Sequence, residues 1–136
     1  MNSQREREIE ILFESVPRAV RKVVRGFYDL PLLSKKELIS LLEQYAIRIQ
    51  NAAEYRGDVD AHLADCISLC CTSLLREQWD DEALESKRLI QAACLYYVEI
   101  DDGDGDMASA NGLDDDAKLL NFVVEHLGRP DLTIRI

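Results

Sequence analysis

Apolar residues spaced three and four apart, in five separate stretches, limit this chain to helices packed against helices. The clearest stretch is Leu38, Leu41, Leu42, Tyr45, Ile49 and Ala52, a stripe down one side of a helix predicted over 35–55. Ser34 stands where such a helix needs an N-cap, and the glycine of "RGD" at Arg56 to Asp58 closes it as a turn. Upstream, Ile9, Leu12, Phe13, Val16, Val20, Val23, Val24 and Phe27 keep the same period over 4–27. Pro17 should break that segment, with Ser15 able to cap its second half.

Downstream, Leu63, Cys66, Ile67, Cys70 and Leu74 predict a helix over 59–78, and Leu89, Ile90, Ala93, Cys94 and Tyr97 another over 81–100. The second opens on an acidic first turn, "DDEALE", which suits a helix N-terminus. Leu119, Leu120, Val123 and Leu127 predict the last helix over 114–127, stopped by Gly128 ahead of Pro130. The tail "LTIRI" alternates and reads as a short strand or an extended arm. A chain of 136 residues is long enough for one core and short for two. The expected architecture is all-α: a single-domain antiparallel bundle of about five helices, with an acidic loop between the last two.

That loop is the second informative feature. "EIDDGDGDMASANGLDDDA", residues 99–117, carries eight carboxylates and no base. It accounts for most of the formal net charge of -10, because outside it 18 of the 26 acids face 16 bases. A nearly neutral body with one anionic block lacks the cationic footprint of a nucleic-acid binder. No apolar run approaches membrane-spanning length, and "MNSQREREIE" lacks the apolar core of an export signal. The four cysteines fall within helical patterns, which reads as buried, reduced thiols. Cytoplasmic localisation is the expectation.

The eight acids divide. Asp114, Asp115 and Asp116 suit the start of the last helix, where carboxylates cap free N–H groups. Glu99, Asp101, Asp102, Asp104 and Asp106 follow a helix C-terminus, where the dipole disfavours anions. Solvent, basic side chains or a cation must compensate them. Arg18, Arg21, Lys22 and Arg25, spaced i, i+3, i+4 and i+7 opposite the valines of the first segment, offer a basic face that could meet this loop or another copy. Asp102, Asp104 and Asp106 offer calcium or magnesium three oxygen ligands, with Asp115 or Asp116 available to join them. The EF-hand template does not fit, since its glycine falls on Met107 and its glutamate on Leu113. A haloacid-dehalogenase start is excluded by the lack of alternating strands.

Asp102, Asp106, Gly112, Asp115 and Asp116, followed by the apolar "AKLLNFVV", resemble the signature of the YkvA-like domains, small bacterial helical domains of unestablished function. The resemblance spans residues 93–124. It implies a bacterial source, a helix-loop-helix placement and a glycine at which the two aspartate pairs converge, and it implies no activity. Between the aspartates this chain carries "GDG" and "ASAN" where the family is mostly apolar and often has proline.

Other constellations have structural explanations. His62, Cys66 and Cys70, with Cys94 facing them, match zinc ligands in type, but the same spacing is that of a buried stripe. His126 suits a helix C-terminus, and Trp79 suits packing between helices. Ser109 and Asn111 have no histidine nearby in sequence, and no hydrolase, zincin or phosphate-loop motif occurs. The reading is therefore a non-enzymatic protein-interaction or regulatory module working through its anionic loop. Partners would be another protein or a second copy, not nucleic acid or membrane. The alternative is a divalent-cation-binding protein with no other cofactor, and a hydrolase with paired aspartates comes last.

Overall fold

A computed structural model describes residues 7, 10, 11, 13, 14, 16, 18, 21–55, 60–99 and 110–135. It is all-α, with no strand among the described residues. The helices are α1 (Arg21–Asp29), α2 (Lys35–Ala53), α3 (Ala61–Ser73), α4 (Leu84–Glu99) and α5 (Ala110–His126). A π-helical stretch, Leu74–Gln78, and a 3₁₀ turn, Trp79–Asp81, extend α3, and a second 3₁₀ turn, Pro130–Leu132, follows α5.

The helix ends follow from local chemistry. The Ser34 hydroxyl accepts the Glu37 N–H at 3.1 Å while the Glu37 carboxylate accepts the Ser34 N–H at 3.2 Å, a reciprocal box that starts α2. Asp60 starts α3 by accepting the Leu63 N–H at 3.0 Å. Gly128, at φ 76, ends α5 in a left-handed turn. The Arg129 N–H reaches the Val124 carbonyl at 2.7 Å and the Gly128 N–H reaches Glu125 at 3.2 Å, the paired bonds of a Schellman motif.

Helix α4 is the axis of the bundle. Every residue from Leu89 to Val98 is buried, and α1, α2, α3 and α5 all pack on it. A helix covered all round has no polar stripe to spare, so its one polar core residue is tied down. Gln91 accepts the Leu33 N–H at 2.7 Å and donates to the Pro31 carbonyl at 3.3 Å, clamping the α1–α2 connection. One turn and a half further on, the Tyr97 hydroxyl donates to the Ala64 carbonyl at 3.0 Å and lies 3.0 Å from the Ser68 hydroxyl. Its ring meets Tyr45 edge-on at 4.8 Å.

Several expectations need correction. The last helix begins at Ala110, four residues before Asp114, so the three aspartates lie inside it rather than capping it. Gly112 is helical as well and provides no fold-back. The fourth helix begins at Leu84, because Asp80 and Asp81 belong to the preceding 3₁₀ turn, and the third gives way to π geometry after Ser73. Val23 is exposed on α1 whereas Val24 is buried. The tail is an arm: the Asn121 side chain accepts the Ile134 N–H at 2.7 Å and donates to its carbonyl at 2.9 Å, holding Ile134 in the core. The break near Pro17 is visible as a bend at Val16, and the Arg21 guanidinium donates to the Glu14 and Val16 carbonyls at 3.0 and 3.1 Å. The "RGD" turn lies outside the described residues.

Candidate functional site

The described charges that the sequence singles out lie at two stations along α4. At the first, α5 begins. Asp114 and Asp115 are half-buried on its rim, and Asp116, only 9% exposed, turns into the core. Successive residues of a helix point about 100° apart, so Asp115 and Asp116 face different ways. Asp116 and Asp115 lie close enough to Tyr96 to add to the effect of its burial, and together these push the phenol up to about 12. Among the described residues neither Asp114 nor Asp115 has an ion-pair partner. Asp102, Asp104 and Asp106 lie outside the described residues, and so does the convergence proposed for Asp102 and Asp106.

The second station is the seam between α1 and α4. Arg18 and Lys22 are exposed there, while Arg21 and Arg25 are half-buried. Arg25 pairs with Asp29 at 3.2 Å, and its guanidinium carbon lies 5.4 Å from the Phe13 ring centre and 5.6 Å from that of Tyr28. Arg88, which the sequence did not mark, approaches the same Tyr28 ring at 6.0 Å. Phe13 meets Tyr28 edge-on at 5.3 Å. Burial, then the Glu85 carboxylate, raises the Tyr28 phenol above its ordinary value, with Arg88 and Arg25 opposing. The four-residue basic face is thus two exposed cations and two guanidiniums held on aromatic rings. Arg88 carried no signal in the sequence, standing beside Lys87 in the charged opening of a helix that turns apolar from Leu89.

The thiols belong to the core. Cys70, Cys71 and Cys94 are buried, and only Cys66 is half-exposed, 3.9 Å from the exposed His62 ring. Contact with Cys94 and then burial raise Cys71, while burial pushes Cys70 up to about 12. The four candidate zinc ligands therefore divide between rim and interior. Among the described residues no group of three His, Cys, Asp or Glu side chains is placed to hold a metal ion. Among the same residues no helix is long and apolar enough to cross a membrane.

Other bases are engaged by their own neighbours. Arg129 bonds Glu77 at 3.0 Å, Asp131 at 2.9 Å and Gln78 at 3.2 Å, and Lys35 bonds Asp80 at 2.9 Å. The Asp131 carboxyl is correspondingly held below its ordinary range by the Arg129 guanidinium. No protein-family model, curated protein or solved structure matches the chain.

Proposed function

We propose that the protein is a non-enzymatic interaction module whose acidic block, residues 99–117, docks a cationic surface. One observation carries the reading: Asp114 and Asp115 stand on the rim of α5 without an ion pair among the described residues, while Arg21, Arg25, Arg129 and Lys35 are committed to carbonyls or other acids. Like charges gathered without local neutralisation favour any arriving cation, and exposed charge steers and orients a partner more than it stabilises the fold. The spacing shared with YkvA-like domains supports the same choice of acids.

The test is fluorescence anisotropy with a lysine-rich helical peptide as probe. Asp102→Asn/Asp104→Asn/Asp106→Asn is compared with Glu43→Gln/Glu54→Gln/Glu125→Gln, which removes the same charge from exposed positions elsewhere. Docking through the block predicts at least about tenfold weaker binding for the first variant only, fading for both as added salt shortens the Debye length below its physiological value of about 8 Å. Equal loss in the two variants overturns the reading, because net charge alone would then explain the binding. A rise in melting temperature with about 1 mM calcium or magnesium, abolished by the aspartate variant, overturns it in favour of cation binding at Asp102, Asp104 and Asp106.

A further inference from the structure

Of the thiols and imidazoles that the fold divides between rim and interior, the two on the rim still stand together. His62 and Cys66 are four residues apart on α3, the spacing that brings two side chains onto one face of a helix. The His62 Nε2 and the Cys66 Sγ lie 3.9 Å apart, and among the described residues neither has another hydrogen-bond partner. Zinc holds a thiolate at about 2.3 Å and an imidazole nitrogen at about 2.0–2.1 Å, so two such ligands of a tetrahedral ion are about 3.5 Å apart. The pair is within about 0.4 Å of that spacing, a difference that small rotations of two surface side chains absorb.

The setting favours a cation. His62 is exposed and Cys66 half-exposed, so an ion reaches both without opening the core. Helix α3 carries one acid, the exposed Asp65 between the two ligands, and no lysine or arginine. No third His, Cys, Asp or Glu among the described residues joins the pair, so one copy supplies two of the four ligands that a structural zinc site takes. A twofold axis beside α3 supplies the other two from a second copy and closes the set at two imidazoles and two thiolates. The two thiolates cancel the charge of the ion, which leaves the contact neutral. Leu69, 68% exposed and the least covered leucine among the described residues, shares the face of His62 and Cys66 that such a contact covers.

We infer that His62 and Cys66 are one half of a zinc site, completed across a twofold axis by the same pair of a second copy of this chain. On binding, each Cys66 thiol gives its proton to solvent and each His62 binds through a neutral ring nitrogen, so nothing is oxidised. The acidic block takes no part in this contact.

Sedimentation velocity of the full chain under a phosphine reductant, with zinc chloride as the probe, tests it. The chain should be monomeric in chelator and should dimerise on half an equivalent of zinc per chain. His62→Ala and Cys66→Ser should each weaken zinc binding at least about tenfold and lose the dimer, with the melting temperature in chelator unchanged. Cobalt(II) in place of zinc should give the wild type the visible bands of a tetrahedral, thiolate-bound ion, and Cys66→Ser should lack them. Zinc should also slow the labelling of Cys66 by a nitrobenzoate disulfide at least about tenfold. One zinc per chain without dimerisation overturns the shared site, and zinc binding equal in the wild type and both variants overturns the choice of ligands. A chain that stays monomeric with zinc, or a dimer that survives chelator, overturns the inference as well.

Discussion

Replacing Gln91 by glutamate exchanges one amide nitrogen for an oxygen at a position that is 0% exposed. The Leu33 N–H keeps its acceptor, but the Pro31 carbonyl, which receives the amide N–H at 3.3 Å, would face a second oxygen. An ionised carboxylate there is desolvated and repelled, so its pKa should rise by about three units. At about 1.4 kcal/mol per unit, the variant loses about 4 kcal/mol once fully ionised. The sign is fixed by linkage: the folded-state pKa is raised, so the penalty is absent below the unfolded value of about 4.3 and grows as pH rises through the folded one. Protonated, the acid regains a donor for Pro31. In a domain of this size about 4 kcal/mol corresponds to a melting temperature lower by about 15 °C at pH 8, converging on the wild type near pH 4.5. Gln91→Leu, which leaves the Leu33 N–H without its acceptor, should cost about 1–3 kcal/mol at every pH. Thermal unfolding followed by circular dichroism across that range measures both. Should the glutamate variant melt with the wild type at pH 8, the clamp does not hold the α1–α2 connection.

Alkaline pH should unfold the protein through its interior. Burial holds Cys70 and Tyr96 at about 12, and Cys71 is raised as well, so the native state keeps protons that the unfolded chain releases. Stability is intact below about pH 9 and falls by about 1.4 kcal/mol per pH unit for each raised thiol on the way to about 12; a melting temperature unchanged between pH 8 and 11 would contradict this. Under native conditions a thiol reagent such as a nitrobenzoate disulfide should label Cys66 promptly, reaching Cys70, Cys71 and Cys94 only on unfolding. Prompt labelling of all four would mean that the core around α4 is open.

Features carried by neighbouring residues were legible before any fold was known. The stripe Leu38, Leu42, Tyr45 and Ile49 is buried on α2, and Ser34 caps it. What the one-dimensional pattern missed depends on packing from several sides. Helix α4 shows a single apolar face in sequence because Gln91, Ala92 and Tyr96 look like a rim, yet four other helices cover them. The start of α5 was misplaced for a related reason. Asparagine and glycine ahead of three aspartates read as a loop with a cap, but Leu113, Ala117, Leu120 and Val124 form a buried stripe that carries the helix back through Gly112 against its weak propensity. Arg88 was invisible because its meaning comes from Tyr28, sixty residues away in the chain.

The arrangement of charge says more than its amount. Holding Arg25 and Arg88 against one ring restricts two long side chains, and exposed ion pairs return little stability for that restriction. A fold needing only solubility would scatter its 26 acids and leave its arginines free in solvent. Here Arg25 and Arg88 are fixed at one station of the most buried helix, with Asp29 and Glu85 beside them, and Asp115 and Asp116 stand at another, about 12 Å along it. A rigid axis is what keeps such stations from collapsing onto each other, since α4 cannot bend without opening contacts to four neighbours. The same burial that makes α4 the core of the bundle therefore holds Arg88 and Tyr96 at a fixed spacing, and with them the described charges gathered around each.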